Sequence, residues 1–286
     1  MATRKPNGVS FASLAGGKRP AAAKKSAGVK QIRYWSFSLY SSYKQCPLKA
    51  KFNAVDKIKE PGNDAMQRGN DVHKLCEDFI KGLITLAQLK SGAKTVKQKP
   101  WDPTDTLPEL NRLRKVYANR KKLQAKAMQP AVEDTWAFTN SWDETVWNDW
   151  INCWVRIKLD VGEFFEEKGS IIYVPTDWKT GQFREEKNEE YIEQLELYAL
   201  AAMLIHPHID EVRPRLVYVD QGIVFPDPEE PLSFKRKDVD ALKKLWGKRT
   251  KPMLNDKTFA PRPGQYCRYC FYRKGNAANG GGQCKY

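Results

Sequence analysis

The chain has 286 residues and 41% hydrophobic content, enough for one large domain with a buried core and added elements. Its 49 Lys and Arg against 34 Asp and Glu leave a net charge of +15, which points to a polyanionic partner. No apolar run reaches the length of a bilayer span, no signal-peptide stretch stands at the start, and six cysteines are too sparse for a secreted disulfide scaffold. The expectation is a protein of the reducing cytoplasm, not a membrane protein.

Residues 1–30 carry seven basic groups and no acid among Gly, Ala and Ser, so a disordered basic tail is expected over 1–33. It is either a nucleic-acid arm or a solubilising extension. Order should begin near Tyr34-Trp35. From there Leu39, Tyr43, Cys46 and Ala50 fall at helical spacing, with Ser36 or Ser38 as N-cap, and Pro47 predicts a break at Cys46. A thiol at such a break is a ligand or a buried free cysteine. Residues 65–82 read as an amphipathic helix with Val72, Leu75, Cys76, Phe79 and Leu83 inward. His73 and Glu77 share an edge of it, and Gly69 leaves room for a neighbouring backbone. Residues 91–106 read as loop. A third helix over 107–128 carries Arg112, Arg114, Lys115, Arg120, Lys121, Lys122 and Lys126 against Glu109 alone, as a solvated face or one that tracks phosphates. Residues 84–128 thus form a helical insertion. A strand containing Glu133 follows, then a segment over 142–154 with four Trp, which is either core or a base-stacking platform.

The centre of the chain carries the chemistry. Over 155–165, Val155, Ile157, Leu159 and Val161 alternate with Arg156, Lys158, Asp160 and Gly162, which puts Asp160 on the polar side of a strand. Residues 166–169 read as a turn into a second strand, 170–180, whose Asp177 and Lys179 share one face. The hairpin brings Asp160 toward Asp177. Two carboxylates about 4 Å apart repel by roughly 4 kcal/mol at an effective dielectric of 20, so a divalent cation is the expected partner. Lys179 beside them could stabilise a phosphate oxyanion or orient a water. Two acids and a lysine on adjoining strands suit phosphodiester hydrolysis.

Residues 188–206 form the clearest helix, with Ile192, Leu195, Ala199, Ala202 and Met203 as its buried stripe and Gln194 and Tyr198 paired one turn apart. Strands are expected at 212–220 and 223–225, and a helix at 238–253. The basic, loop-rich end carries Cys267, Cys270 and Cys284. His206 and His208 read as the polar end of a helix, and Cys76 and Cys153 as core.

Ser36-x-Ser38-x4-Tyr43-x2-Cys46-Pro47, Gly69-x2-Val72-His73, Asp160, Asp177-x-Lys179-Thr180-Gly181 and Gln194-x3-Tyr198 occur in that order, followed by Cys267-x2-Cys270 and Cys284. The series resembles the RecB-like branch of the PD-(D/E)XK nuclease superfamily, including its iron–sulfur exonucleases, over most of the chain. The resemblance implies a three-layer α/β/α restriction-endonuclease-like core (34–260) with a central mixed β-sheet, and a metal-dependent nuclease of exonuclease type acting on DNA ends or single strands. It implies His73, Asp160, Asp177 and the Trp178 carbonyl as ligands of Mg²⁺ or Mn²⁺, Lys179 as the catalytic lysine, and Gln194 and Tyr198 as residues that contact DNA or support Lys179. Glu133 matches in position an acid that precedes the metal-binding strand in relatives. Cys46, Cys267, Cys270 and Cys284 are implied to hold a [4Fe–4S] cluster, with Zn²⁺ as the alternative, in a segment (261–286) packed on the core. Thirteen residues between Cys270 and Cys284 depart from the usual spacing. The competing reading is a non-catalytic nucleic-acid-binding module stapled by a four-cysteine metal site. Protein partners are not indicated.

Overall fold

The computed structural model describes residues 31–122 and 128–286; the expected tail over 1–30 and the end of the third helix, with Lys126, lie outside them. Ser36 caps α1 (Phe37–Gln45) by accepting the Leu39 N–H, and the break at Cys46 is present because Pro47 opens α2 (Pro47–Ala54). Asn63 caps α3 (Asp64–Lys81), which ends at Gly82. A capping box between Thr85 and Gln88 starts α4 (Leu86–Thr95), a helix extending into residues expected as loop. Pro108 lies in the first turn of α5 (Leu107–Asn119).

The sheet is mixed and eight-stranded. β1 (Ala131–Phe138) pairs antiparallel with β2 (Glu144–Thr145) and with β3 (Val155–Glu167), which forms the expected hairpin with β4 (Ser170–Lys179). Beyond β4, the first half of the strand takes β5 (Glu211–Val212) and its end takes β6 (Arg215–Tyr218), both parallel. The single strand expected at 212–220 is split because Pro214 has no N–H for the ladder. β7 (Ile223–Phe225) and β8 (Phe234–Lys235) close the two branches antiparallel.

Helices cover both faces. α1, α6 (Asn188–Ile205) and α7 (Val239–Asn255) pack on one with Trp136, Phe138, Ile157, Leu159 and Leu216; α3, α4 and α5 pack on the other with Val161, Trp178 and Val217. This is the expected α/β/α arrangement. α6 is buried beyond its predicted stripe, with every residue from Leu197 to Met203 buried, because α1 and α7 cover the side turned from the sheet. Leu83, expected inward, is 67% exposed, just past the Gly82 cap. Gly162 cannot be another residue without rearrangement: a Cβ there would lie 1.7 Å from the Tyr173 hydroxyl.

His206 is not a solvated helix end. Its ring packs against Tyr173, Phe164 and Trp136, and burial, aided by His208, lowers its pKa from 6.5 to about 4. A histidine whose folded-state pKa lies below its unfolded value stabilises the fold above pH 6.5 and loses that contribution as pH falls toward 4. The urea midpoint should therefore drop between pH 7 and 4.5 more steeply in the parent protein than in His206→Phe. Parallel profiles would show that the histidine takes up its proton at the same pH in both states.

Candidate active site

The register of β3 on β4 sets the site. Val161 pairs with Thr176, so the next step places Asp160 opposite Asp177 at the β4 end where the chain leaves for α6. Asp177 and Lys179 share the face toward α6, whereas Trp178 packs into the α3 side. Asp160 is anchored from both directions: its Oδ2 accepts the Trp178 N–H at 2.8 Å, and its Oδ1 meets His73 Nδ1 of α3 at 3.1 Å. Since N–H and C=O of one residue point to the same side of a strand, the Trp178 carbonyl faces β3 as well. Gly69, one turn before His73, lets α3 lie against Thr180, whose Oγ1 is 3.4 Å from where a Cβ would be.

Asp177 belongs to a second, connected chain of contacts. Tyr198 Oη donates to Asp177 Oδ1 at 2.6 Å, Gln194 Nε2 donates to Tyr198 Oη at 3.0 Å, and Lys179 Nζ donates to Gln194 Oε1 at 3.1 Å. Lys179 Nζ also lies 2.6 Å from Asp177 Oδ2, but that buried oxygen receives no hydrogen bond of good alignment. Gln194 and Tyr198, a polar pair on an otherwise apolar helix, thus hold the acid and the lysine together. Burial, then the charges of Asp177 and Asp160, push the Tyr198 hydroxyl well above its ordinary pKa, so it stays a donor.

The electrostatics carry the expected signature of crowded acids. Burial and then the Asp177 charge raise the Asp160 pKa, against the opposing pull of His73 and the Trp178 N–H. For His73, burial alone would lower the pKa; the Asp160 hydrogen bond and the carboxylates of Asp160, Asp177 and Glu133 outweigh it, and the net direction is upward.

Ligand geometry differs from the sequence expectation in one respect. Among the described residues, the group whose ligand atoms lie within 4.8 Å of one another is His73, Glu133 and Asp160; Asp177 is not part of it, because Tyr198 and Lys179 hold its carboxylate. Glu133 joins through an unusual backbone. It would face Asp160 across the β1–β3 register, and its φ of 58° interrupts the pairing there. An imidazole with carboxylates suits Mn²⁺ at least as well as Mg²⁺, and Asp177 Oδ2, paired with the Lys179 ammonium, lies outside the group.

His73, Asp160, Asp177, Lys179, Gln194 and Tyr198 line one cleft of about 900 Å³, bordered by α1, the start of β3 and α6. Its floor is braced by a contact that no local sequence pattern announces: Arg68 of α3 makes a bidentate pair with Asp220 at 2.8 and 2.6 Å and also donates to the Thr180 carbonyl.

The basic helix contributes less than its composition suggested. Arg112 is engaged by Glu109 and by Glu163, whose side chain is 1% exposed. Arg114 donates to the Phe79 and Ile84 carbonyls, and Arg120 to the Tyr117 carbonyl. Those three arginines act inside the fold, and Lys115, Lys121 and Lys122 remain as solvent-facing cations.

Four of the six cysteines lie around one pocket. Cys46, Cys267, Cys270 and Cys284 are free thiols lining one cavity, closed by Phe52, Phe271 and Tyr272. The long Cys270–Cys284 interval turns back on itself, with Gly282 at φ 95° and Gly281 so close to the Phe271 carbonyl that a Cβ would lie 2.1 Å away. Cys46 Sγ accepts the Arg262 N–H at 3.5 Å, and Cys267 Sγ the Gly264 N–H at 3.4 Å. Cys76 and Cys153 are buried elsewhere in the core.

The site is thus an acid pair, a histidine and a lysine gathered at the end of a strand hairpin, in a mixed sheet between two helical layers. The family model of the PD-(D/E)XK nuclease superfamily matches residues 34–274, and the chain belongs to that superfamily. Among solved structures the chain is similar to a "Putative exonuclease" from Eubacterium rectale at 10% identity, covering 85% of this chain and 88% of that one with a TM-score of 0.41. It is also similar to SSO0001 at 11% identity, covering 86% of each chain with a TM-score of 0.31. No curated protein sequence matches. Among the described residues, no helix is long and apolar enough to cross a membrane.

Proposed function

We propose that the chain is a divalent-metal-dependent deoxyribonuclease that works as an exonuclease on DNA ends or single strands. The observation that carries this reading is the convergence of Asp160, Asp177 and Lys179 with His73 in one open cleft of a basic protein. His73, Glu133 and Asp160, with Asp177 Oδ2 and the Trp178 carbonyl beside them, would hold Mg²⁺ or Mn²⁺, which supplies Lewis-acid activation of water and phosphate. The chain's own work is positioning. Lys179, tethered by Asp177 and Gln194, presents an ammonium where charge develops on the phosphate; Tyr198 fixes the Asp177 rotamer; the Trp178 N–H fixes Asp160. The exonuclease assignment rests on the resemblance to RecB-like enzymes.

The cysteine cavity fits a metal group that joins residues 261–286 to α1 and α2. Backbone N–H groups already aim at two of its sulfurs, as they do around iron–sulfur clusters. A [4Fe–4S] cluster is the first candidate for that group and a closed four-cysteine Zn²⁺ site the second.

Digestion of end-labelled single- and double-stranded DNA with Mn²⁺, Mg²⁺ or EDTA tests the proposal. Stepwise loss of labelled ends with either metal and none in EDTA is the expected result. Tight DNA binding without hydrolysis in any metal would favour the binding-only module.

A further inference from the structure

One end of the catalytic cleft is built from aromatic rings that the chemistry above does not use. Arg156 of β3 points from the same polar strand side as Asp160, and its guanidinium lies 4.8 Å from the Tyr34 ring centre, 5.3 Å from Trp147 and 4.6 Å from Trp150. Tyr34, Trp147 and Arg156 line the cleft together with His73, Asp160 and Lys179. Trp150 stands edge-on to Tyr34 with ring centres 6.3 Å apart, and it is 69% exposed.

This exposure is held in place. The segment 146–152 is tied by Asp149, whose carboxylate accepts the Ile151 and Asn152 N–H groups, the Asn152 amide and the Thr145 hydroxyl. On the other side, Trp35 exchanges backbone hydrogen bonds with Trp154 and Arg156, which fixes Tyr34 beside the strand. Val146, Trp150 and Ile151 are thereby kept in solvent at 69%, 69% and 91% exposure, although nothing in the local hydrogen bonding rewards an apolar surface there.

The rings do not account for Arg156. Its Nε and Nη2 are buried against them with no acceptor, so among the described residues its charge meets rings rather than a carboxylate, while the residue lines the cleft. A cation of this kind at a cleft wall attracts an anion entering there, and the exposed ring faces beside it call for a flat, apolar group. A nucleotide supplies both. We propose that Tyr34, Trp147, Trp150 and Arg156 form a single-strand subsite, in which an unpaired base stacks on the rings and its phosphate pairs with Arg156. The subsite deepens the nuclease reading and rests on it. Four residues of extended strand separate Arg156 from Asp160, about 13 Å, or roughly four stacked nucleotides at ~3.4 Å each. The strand being cut would therefore be gripped a few nucleotides from the cleaved bond, which commits the cleft to unpaired DNA.

The test is equilibrium binding of a fluorescein-labelled dT12 and of an abasic oligomer with the same phosphates, in EDTA so that no cleavage occurs. Base stacking worth about 1–3 kcal/mol corresponds to a five- to 150-fold preference for dT12 in the parent protein. Trp150→Ala, at an exposed site, should remove most of that preference, and Trp150→Phe should restore it. Arg156→Gln should weaken both oligomers and lower the slope of log K against log salt by about 0.7; Arg156→Lys, which keeps the charge, guards against a folding artefact. If Trp150→Ala retains the preference while the parent cleaves DNA, the subsite is wrong and the nuclease reading stands. If the parent neither binds nor cleaves DNA, both are lost. If Trp150→Ala instead turns a dimer into a monomer with dT12 binding intact, the patch is a contact between copies and the subsite is overturned.

Discussion

Lys179→Ala is expected to lower the cleavage rate by about 10²–10³-fold while binding of the same DNA in EDTA changes little. The reason lies in how the ammonium is held. It sits 2.6 Å from Asp177 Oδ2 and donates to Gln194 at 3.1 Å, yet its side chain remains 29% exposed on the cleft side. It is therefore fixed without being enclosed, the arrangement a group needs to meet a phosphate oxygen without reorganising. Asp177→Asn should be at least as damaging, because it removes a candidate metal oxygen and the lysine's charge partner together. Removing Lys179 also leaves a carboxylate that is 13% exposed without its cation, so melting temperature must be measured beside the rate; Lys179→Gln keeps a donor at similar length and separates loss of charge from loss of fold. Rapid hydrolysis by either Lys179 variant, in a preparation free of host nucleases, would falsify the assignment.

The second large effect is expected at the cysteines. Cys267→Ala or Cys284→Ala should abolish any bound group and release residues 261–286 from α1 and α2. Structural metal sites contribute up to about 10–16 kcal/mol in small domains. Here the segment also packs Phe271 and Tyr272 on Phe52, and Tyr272 donates to the Ile58 carbonyl, so a smaller loss of about 3 kcal/mol is expected. At ~2–4 °C per kcal/mol the melting temperature should fall by about 6–12 °C. Protein purified without oxygen should show a broad brown absorption that both variants lack. A colourless parent carrying equimolar zinc would replace the cluster with the alternative metal; a metal-free parent that melts like its variants would remove the clamp altogether.

The hairpin was legible because its signals are local. Alternation over 155–161 fixes which side Asp160 takes, the turn before Ser170 fixes the register, and two residues on one strand must share a face. Gln194 and Tyr198 stood out as polar residues on an apolar helix, and Pro47 announced the break at Cys46. Misreadings came where a distant partner decides. Arg112 looked like a solvent cation until Glu163, 51 residues away, proved to be its acceptor; Arg68 and Asp220 are 152 residues apart, and nothing near either one signals the other. Glu133 needed a backbone angle that strand periodicity does not encode. α4 did carry a sign, the Thr85–Gln88 capping box, but its few apolar residues hid the period. The Trp-rich segment stayed undecided because its residues divide: Trp142 is buried and Trp150 is exposed.

The cysteine cavity has a consequence for how the protein is made. Cys46 leaves the ribosome more than two hundred residues before Cys267, so the first thiol waits, unpaired, through synthesis of the entire sheet. A metal group held by all four thiols can be completed only once Cys284 has been made, when every strand of the sheet has already been synthesised. The core and its clasp are thus separated in time, and protein made without such a group would carry residues 261–286 more loosely held and more open to proteases there.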